Sequence, residues 1–271
     1  MSSIIIPVLA LGALGIAFAA LLSYASHVFH VAVDRRVEEV REALPGANCG
    51  ACGYPGCDGL AAAIALDGAP INACPIGGQA LVDALAEIMG QTAEAAAKEV
   101  AVVLCQGDKS RAKDKFEYDG IADCRAIAGH HGGNKICFYG CLGGGSCKDA
   151  CQFDAIEMVN GLAIVDPEKC TSCRKCVDAC PKHIIEMLPY EQKSMVKCKS
   201  KDAGKIVRGA CTVGCIGCKI CVKQYPEGFV VENWLATATY DIANPDQEKL
   251  ELAIDKCPTK CIHPGLERKA E

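Results

Sequence analysis

The stretch Cys170-Thr-Ser-Cys173-Arg-Lys-Cys176-Val-Asp-Ala-Cys180-Pro181 decides how the surrounding chain folds. Its C-x2-C-x2-C-x3-C-P spacing is typical of the loop that holds a cubane [4Fe–4S] cluster. The first three thiolates can line one concave loop, and the fourth cysteine faces a neighbouring cluster. The stretch therefore predicts a ferredoxin-like module with two adjacent clusters.

The composition supports a fold that depends on bound metal. The chain has 271 residues and 21 cysteines, but only 5% of its residues are aromatic. The cysteine spacings match metal ligands rather than a disulfide framework, and cluster ligation by free thiolates requires a reducing compartment. A net charge of -5 argues against nucleic acid as a partner.

Residues 4–29 are apolar and carry no charged side chain. The segment is long enough to cross a hydrocarbon core of about 30 Å, which predicts a transmembrane helix. A signal peptide is the alternative, but no Lys or Arg precedes the apolar residues. Because Arg35, Arg36 and Arg41 follow the segment, we expect a single-pass protein of the cell (inner) membrane with its iron–sulfur domains on the cytoplasmic side.

A first group of cysteines lies in the glycine-rich segment 45–59 and at Cys74-Pro75. A loop that wraps an inorganic cube needs glycine at several positions. A structural zinc site is the alternative, because zinc sites share the C-x2-C spacing, but the second C-x2-C pair of a zinc ribbon is missing here. The sequence favours a small helical [4Fe–4S] domain with the ligands Cys49, Cys52, Cys57 and Cys74.

Asn160-Gly161 lies between apolar residues that alternate over 156–165, which predicts a β-hairpin ahead of the opening stretch. In a two-cluster ferredoxin the fourth cysteine of each loop binds the other cluster. One cluster is therefore expected to bind Cys151, Cys170, Cys173 and Cys176.

The second cluster of this module is less regular, since Gly144 stands where the middle cysteine of its loop is expected. Cys137 lies a short turn upstream and is the obvious replacement. If Cys137 cannot reach, the site is expected to hold a three-iron or labile cluster. The predicted ligands are Cys137, Cys141, Cys147 and Cys180.

The cysteine pattern repeats from Cys211 onward, which predicts an internal duplication. In this second copy Tyr225 stands where the fourth cysteine is expected. A predicted helix over 242–254, with Asn244 as its N-cap, replaces the other cluster loop. The copy is therefore expected to keep one cluster, with the ligands Cys215, Cys218, Cys221 and Cys257.

Cysteines outside these four groups are interpreted as buried or spare thiols. Two alternatives remain open. Cys105 and Cys198, which the repeat pairs, could ligate a further group, or Cys211 could displace an assigned ligand. The remaining cysteines are Cys105, Cys124, Cys198, Cys211 and Cys261.

The order of these features resembles the B-type subunit of the Rnf complex. The resemblance rests on the apolar N-terminal segment, the motif N-C-G-A-C-G-Y-P-G-C-D-G at 48–59 with Cys74-Pro75, and the tandem ferredoxin units, and it extends over essentially the whole chain. It implies an electron-transfer subunit of a membrane-bound ferredoxin:NAD oxidoreductase that couples electron transfer to Na⁺ or H⁺ translocation. The implied partners are soluble ferredoxin, the flavin- and NADH-binding C-type subunit and the membrane subunits of the Rnf complex.

The expected chain is an α+β protein without a substrate-transforming site of its own. Its predicted parts are a transmembrane anchor (1–33), an N-terminal [4Fe–4S] domain (34–99), a two-cluster ferredoxin-like module (100–192) and a reduced, one-cluster module (193–271). A polyferredoxin subunit of a different, non-pumping membrane oxidoreductase is the alternative function. Basic residues predicted to dock an acidic ferredoxin are Lys109, Arg111, Lys113, Lys115, Lys197, Lys199, Lys201, Lys205 and Arg208.

Overall fold

The computed structural model describes residues 2–29, 34–92, 94 and 97–266. Helix α1 (Ser2–Val28) is apolar, and its described side chains are almost all exposed. Its segment Val8–Ser26 is the one stretch of helix within those ranges that is long and apolar enough to cross a membrane. The predicted apolar N-terminal helix is therefore confirmed, while its predicted boundary at residue 33 lies outside the described residues.

A small helical unit follows α1. Asp34 caps its first helix by accepting a hydrogen bond from the amide of Arg36, and Gly90 ends its last helix in the left-handed conformation. Leu60, Ile64 and Leu85 are fully buried where the helices meet. The helices of this unit are α2 (Arg35–Ala43), α3 (Gly56–Leu66) and α4 (Gly78–Met89).

The first module contains two antiparallel strand pairs, β1 with β4 and β2 with β3. Its buried core residues are aliphatic side chains and cysteines. The elements in chain order are β1 (Glu99–Val103), α5 (Cys124–Gly129), α6 (Ser146–Asp149), β2 (Ile156–Val159), β3 (Leu162–Val165), α7 (Lys175–Ala179) and β4 (Ile185–Pro189).

The second module repeats this order of elements, with β5 paired to β8 and β6 paired to β7. The mixed helix and strand content is confirmed. The elements are β5 (Ser194–Val196), α8 (Gly204–Ala210), α9 (Ile220–Gln224), β6 (Phe229–Glu232), β7 (Leu235–Ala238), α10 (Gln247–Asp255) and β8 (Ile262–Pro264).

The predicted hairpin over 156–165 is present as β2 and β3. Asn160 and Gly161 form its two-residue turn with φ values of 47° and 74°. Positive φ at both positions is what a type I′ hairpin turn requires, and Asn-Gly supplies it at low cost. The equivalent turn of the second module has Asn233 and Trp234, with φ values of 47° and 63°.

The core of the second module contains three aromatic side chains, whereas the buried core of the first module has aliphatic side chains and cysteines. Tyr225 is 5% exposed and stacks on Tyr240, and both rings contact the fully buried Phe229. The hydroxyl of Tyr225 accepts a hydrogen bond from the amide of Asp246, which caps α10. Asp246 rather than Asn244 is the N-cap, because its carboxylate accepts the amide of Lys249.

The two modules pack directly against each other. The amide of Lys113 donates to the carbonyl of Ala210 at 2.9 Å, and the amide of Thr212 donates to the carbonyl of Arg111 at 3.0 Å. On another side of the contact, Gln106 donates to the carbonyl of Lys260 at 3.2 Å. These bonds fix the segments after β1 and β5, where further cysteines are found.

Candidate iron–sulfur sites

The N-terminal helical unit brings together the cysteines predicted there; we call them site 1. Burial raises the pKa of Cys74, and the neighbouring Cys52 and Cys49 add to the shift, so the three sulfurs lie near one another. Cys57 is buried at the start of α3, and its amide donates to the side-chain oxygen of Asn48 at 2.8 Å. The site 1 residues are Cys49, Cys52, Cys57 and Cys74.

The opening stretch surrounds a cavity together with Cys151; this is site 3. Burial raises the pKa of Cys176 to about 12, and Cys170, Cys173 and Cys151 contribute as neighbouring thiols. The amide of Ala101 in β1 donates to the sulfur of Cys170 at 3.4 Å. All the cysteines expected here, Cys151, Cys170, Cys173 and Cys176, line the cavity, which has a free volume of about 320 Å³.

The adjacent cavity, site 2, differs from the prediction in one residue. It has a free volume of about 330 Å³, and Cys124 takes the position expected for Cys137. Burial raises the pKa of Cys147 to about 12, with Cys141, Cys124 and Cys180 as the nearest contributing thiols. The site 2 residues are Cys124, Cys141, Cys147 and Cys180.

The structure places Cys124 in this cavity and Cys137 in a different one, and Gly144 supplies the reason. A Cβ atom on Gly144 would lie 2.9 Å from the backbone nitrogen of Cys124 and 2.8 Å from Ile127. Helix α5 thus occupies the space that a cysteine at position 144 would need. Asp123 caps α5. The hydroxyl of Ser146 fixes the start of this helix, because it accepts a hydrogen bond from the amide of Cys124 and donates one to the Asp123 carboxylate.

Site 4 lies in the second module and contains the cysteines predicted for it. Burial raises the pKa of Cys221 to about 11, and Cys215, Cys218 and Cys257 contribute as neighbours. The free volume is about 360 Å³, close to those of sites 2 and 3. The site 4 residues are Cys215, Cys218, Cys221 and Cys257, and the buried Cys261 also lines the cavity.

Cys261 lies between site 4 and a further group of cysteines. Its single S–H proton is shared between the neighbouring sulfurs of Cys198 and Cys215, and this hydrogen bonding shifts the pKa values of all three thiols. These bonds are the largest cause that lowers the pKa of Cys198 to about 7 and that of Cys215 to about 6. The thiol of Cys261 itself has a raised pKa, first because it donates these bonds and then because it is buried.

The further group, which we call the junction group, lines a cavity where the two modules meet. Burial raises the pKa of Cys137 to about 11, and Cys198, Cys105 and Cys211 add to the shift as neighbouring thiols. The repeat of Val103-Leu-Cys105 as Val196-Lys-Cys198 was the sequence signal for this group. Its members are Cys105, Cys137, Cys198 and Cys211.

The spacing of the thiols fits a polynuclear cluster better than a single ion. No group of three or more Cys, His, Asp or Glu side chains within the described ranges is close enough to hold one metal ion. A zinc site needs four ligands within about 2.3 Å of one atom, whereas a cubane separates its thiolates. Groups of thiols around small cavities, with backbone amides aimed at sulfur, define a protein that binds several iron–sulfur clusters.

Comparison with known proteins supports this class and identifies the family. A model of an Fe-S cluster domain matches residues 44–76, a 4Fe-4S binding domain matches 163–186, and the 4Fe-4S single cluster domain of Ferredoxin I matches 212–264. The B-type subunit of the Na⁺-translocating ferredoxin:NAD⁺ oxidoreductase complex of Acetobacterium woodii is 49% identical over 98% of this chain and 80% of its own length.

Two further relatives match over nearly their whole lengths. The B-type subunit of an ion-translocating oxidoreductase complex of Methanosarcina acetivorans is 39% identical over 97% of this chain and 99% of the relative. The B-type subunit of the proton-translocating ferredoxin:NAD⁺ oxidoreductase complex of Clostridium ljungdahlii is 41% identical over 97% of this chain and 93% of the relative. The chain belongs to the family of B-type subunits of ion-translocating, Rnf-type oxidoreductase complexes.

Proposed function

We propose that this chain is the iron–sulfur electron-transfer subunit of an Rnf-type complex. It takes electrons from reduced ferredoxin and relays them through [4Fe–4S] clusters toward NAD reduction coupled to Na⁺ or H⁺ translocation. The proposal is supported by the family and by the cysteine groups around cavities. The chain contributes to the oxidoreductase as an electron carrier.

The observation that carries the proposal is the interleaving of sites 2 and 3. Cys147 of site 2 lies in α6 and Cys151 of site 3 follows this helix, while Cys176 of site 3 lies in α7 and Cys180 of site 2 ends it. Each short helix therefore links both sites, and the sulfur of Cys176 also contributes to the raised pKa of Cys147. Two clusters held in this way lie side by side, which favours electron transfer between them.

The residues of the chain would hold and tune the clusters. We assign one cluster each to sites 1, 2, 3 and 4, with the cysteines of each site as ligands. Bound [4Fe–4S] clusters supply one-electron chemistry at low potential. Amide donors such as Ala101 to Cys170 and Ala236 to Cys215, at 3.4 and 3.5 Å, stabilise charge on the ligand sulfurs.

The chain would be held at the membrane by α1. We retain the division at residues 33, 99 and 192, and we place the cluster-binding parts on the cytoplasmic side because Arg35, Arg36 and Arg41 follow the apolar helix. On this basis the membrane subunits contact α1, and the flavin- and NADH-binding C-type subunit receives electrons from the cluster-binding part.

Soluble ferredoxin is the proposed electron donor, attracted by exposed basic side chains of the two modules. Lys199 is paired with Glu186, and Arg111 lies 3.8 Å from Asp108, so their charges are partly compensated. Long-range attraction between opposite charges speeds encounter without strengthening the final complex much. The exposed basic residues are Lys109, Arg111, Lys113, Lys115, Lys201, Lys205 and Arg208.

The test is anaerobic co-purification of the chain with its native membrane complex, followed by reduction with ferredoxin. Electron paramagnetic resonance (EPR) should show reduced [4Fe–4S] clusters in this subunit, and ferredoxin should reduce NAD. Cys176→Ser, which removes a site 3 ligand, should abolish most of this activity, whereas Asp178→Asn, in α7 but outside the cluster sites, should not. Zinc without acid-labile sulfide, or full activity of Cys176→Ser, would contradict the proposal.

A further inference from the structure

A cluster site lies at the junction of the two modules, in a cavity formed largely outside the three segments that match iron–sulfur domains. We propose that the junction group binds a fifth [4Fe–4S] cluster, with two ligands from each module. Residues of both modules line the cavity, with Leu104 and Tyr139 from the first module and Val207 and Val213 from the second. The proposed ligands are Cys105, Cys137, Cys198 and Cys211.

The four positions are related by the internal repeat. Cys105 follows β1 and Cys198 follows β5 by two residues in each case. Cys137 and Cys211 each lie four residues before the first cysteine of the cluster loop that follows, Cys141 or Cys215. Each module therefore presents the same pair of cysteines to the contact, and the two pairs together make four thiolates.

Hydrogen bonds to the sulfurs repeat in the same way. The sulfur of Cys105 accepts the amides of Gly107 at 3.4 Å and Cys141 at 3.5 Å. The sulfur of Cys198 accepts the amide of Ser200 at 3.4 Å, which is the counterpart of the bond from Gly107. Spare buried thiols have no need of such amide donors, whereas cluster thiolates are stabilised by them.

A buried cation in the cavity wall is the independent observation that points to an anionic ligand. Lys135 lines the cavity, is 3% exposed, and its ammonium group donates to the carbonyl of Gly107. No carboxylate in the part of the chain that the structure describes forms an ion pair with it. Burial of an unpaired ammonium group is costly, and a cluster with four thiolates carries the negative charge that would balance it.

The position of this site gives it a role that rests on the proposed function. Its ligand Cys105 accepts the amide of Cys141 from site 2, and Gly214, the residue before Cys215 of site 4, lines the junction cavity. The fifth cluster would therefore lie between the clusters of the two modules. It would take one electron from one neighbouring cluster and pass that electron to the other, so that the modules form one relay.

The test is metal and sulfide analysis of the full chain in its native complex, purified anaerobically from matched variants. The wild-type chain should hold about twenty iron atoms, against about sixteen if only sites 1 to 4 are filled. Cys105→Ser and Cys211→Ser should each lose about four iron atoms. The double variant should lose no more than either single variant, because both residues serve the same cluster.

Gly209→Ala is the matched control, since position 209 lies in α8 beside the junction but lines none of the cavities, and an added Cβ there has no atom within 4 Å. It should retain all the iron. Additive losses in the double variant, zinc at the junction, or a wild-type content of about sixteen iron atoms would overturn the fifth site. If Cys105→Ser disrupts folding, the wild-type count and native mass spectrometry still decide the question. Iron content does not depend on ferredoxin or NAD turnover. A chain with about twenty iron atoms but without ferredoxin-dependent NAD reduction would therefore contradict the proposed function and leave the fifth site standing.

Discussion

Gly144 has no side chain because the backbone at Cys124 fills the space beside it. The thiol that site 2 lacks at position 144 is supplied from 20 residues upstream, at the start of α5. Ser146 and Asp123 hold that helix end by hydrogen bonds of 2.6 to 2.9 Å. A distant residue thus replaces a local one without changing the shape of the site.

We predict that Cys124→Ser damages site 2 while Cys137→Ser leaves its EPR signal in place. Loss of one thiolate should remove about one to four iron atoms, depending on whether a three-iron form survives. Adding Gly144→Cys to Cys124→Ser should not restore the site, because the new Cβ would lie within 3.0 Å of the Asp123–Cys124 backbone. Loss of the site 2 signal in Cys137→Ser would contradict the structure.

Cys261 offers a second test at the level of one residue. Its single S–H proton is shared between sulfurs of two different groups, Cys198 and Cys215. Donors to sulfur stabilise the reduced, more negative cluster, so Cys261→Val should lower the reduction potential of the site 4 cluster. A hydrogen bond worth about 1 kcal/mol corresponds to roughly 40 mV for one electron. Potentiometric EPR measures the shift, and the site 1 cluster serves as the internal reference.

At the scale of elements, the β2–β3 hairpin forms one wall of site 2. Ala163 of β3 lines the cavity, and the loop that carries Cys141 passes close to the hairpin turn. The loop can approach the turn this closely because residue 143 is glycine. Its φ is 76°, and a Cβ added to it would lie 2.6 Å from the carbonyl oxygen of Gly161. The backbone of Gly161 cannot move away from this added Cβ without disrupting the β2–β3 hairpin turn.

Gly143→Ala should therefore destabilise site 2 by about 1 to 3 kcal/mol through the strained φ, with the clash in addition. We expect faster loss of iron to a chelator and a lower unfolding temperature of the cluster-loaded protein. Gly209→Ala is the matched control, because position 209 is helical and has no atom within 4 Å of the added Cβ. It should be neutral or slightly stabilising. Equal rates of iron loss in the two variants would show that the turn does not constrain the site.

At the scale of the whole molecule, α8 separates the junction cavity from solvent. Val207 and Ala210 face the cavity, and Lys205 and Arg208 are exposed on the same helix. Ferredoxin bound to these basic side chains would be separated from the junction site by one helix. The site and the proposed docking surface are therefore adjacent.

We predict that Lys205→Glu slows reduction by ferredoxin several-fold at low ionic strength, with little effect at high salt. Stopped-flow measurement of the second-order rate against salt concentration tests this. Lys256→Glu, an exposed charge reversal outside the basic segments, is the control. Equal slowing in both variants would mean that net charge, rather than this surface, sets the rate.

Much of this molecule was predictable from residue spacing. The hairpin turn at Asn160-Gly161, the regular loop of Cys170 to Cys180 and the replacement of a cluster loop by α10 follow from local rules. The exchange of Cys137 for Cys124 does not, because it depends on how α5 packs on Gly144. The internal repeat contained a partial signal. Site 4 has four cysteines without Cys211, and Cys137 is the counterpart of Cys211, so the repeat indicates that Cys137 is not a ligand of site 2.

The aromatic core of the second module has a consequence for how the protein matures. Tyr225, Phe229 and Tyr240 pack a region that the first module fills with inorganic sulfide and iron, if the proposed sites are loaded. The second module binds one cluster of its own at site 4 and packs the remaining region with carbon, whereas the first module depends on two clusters of its own. We therefore expect the second module to retain more of its structure than the first when clusters are withheld during synthesis.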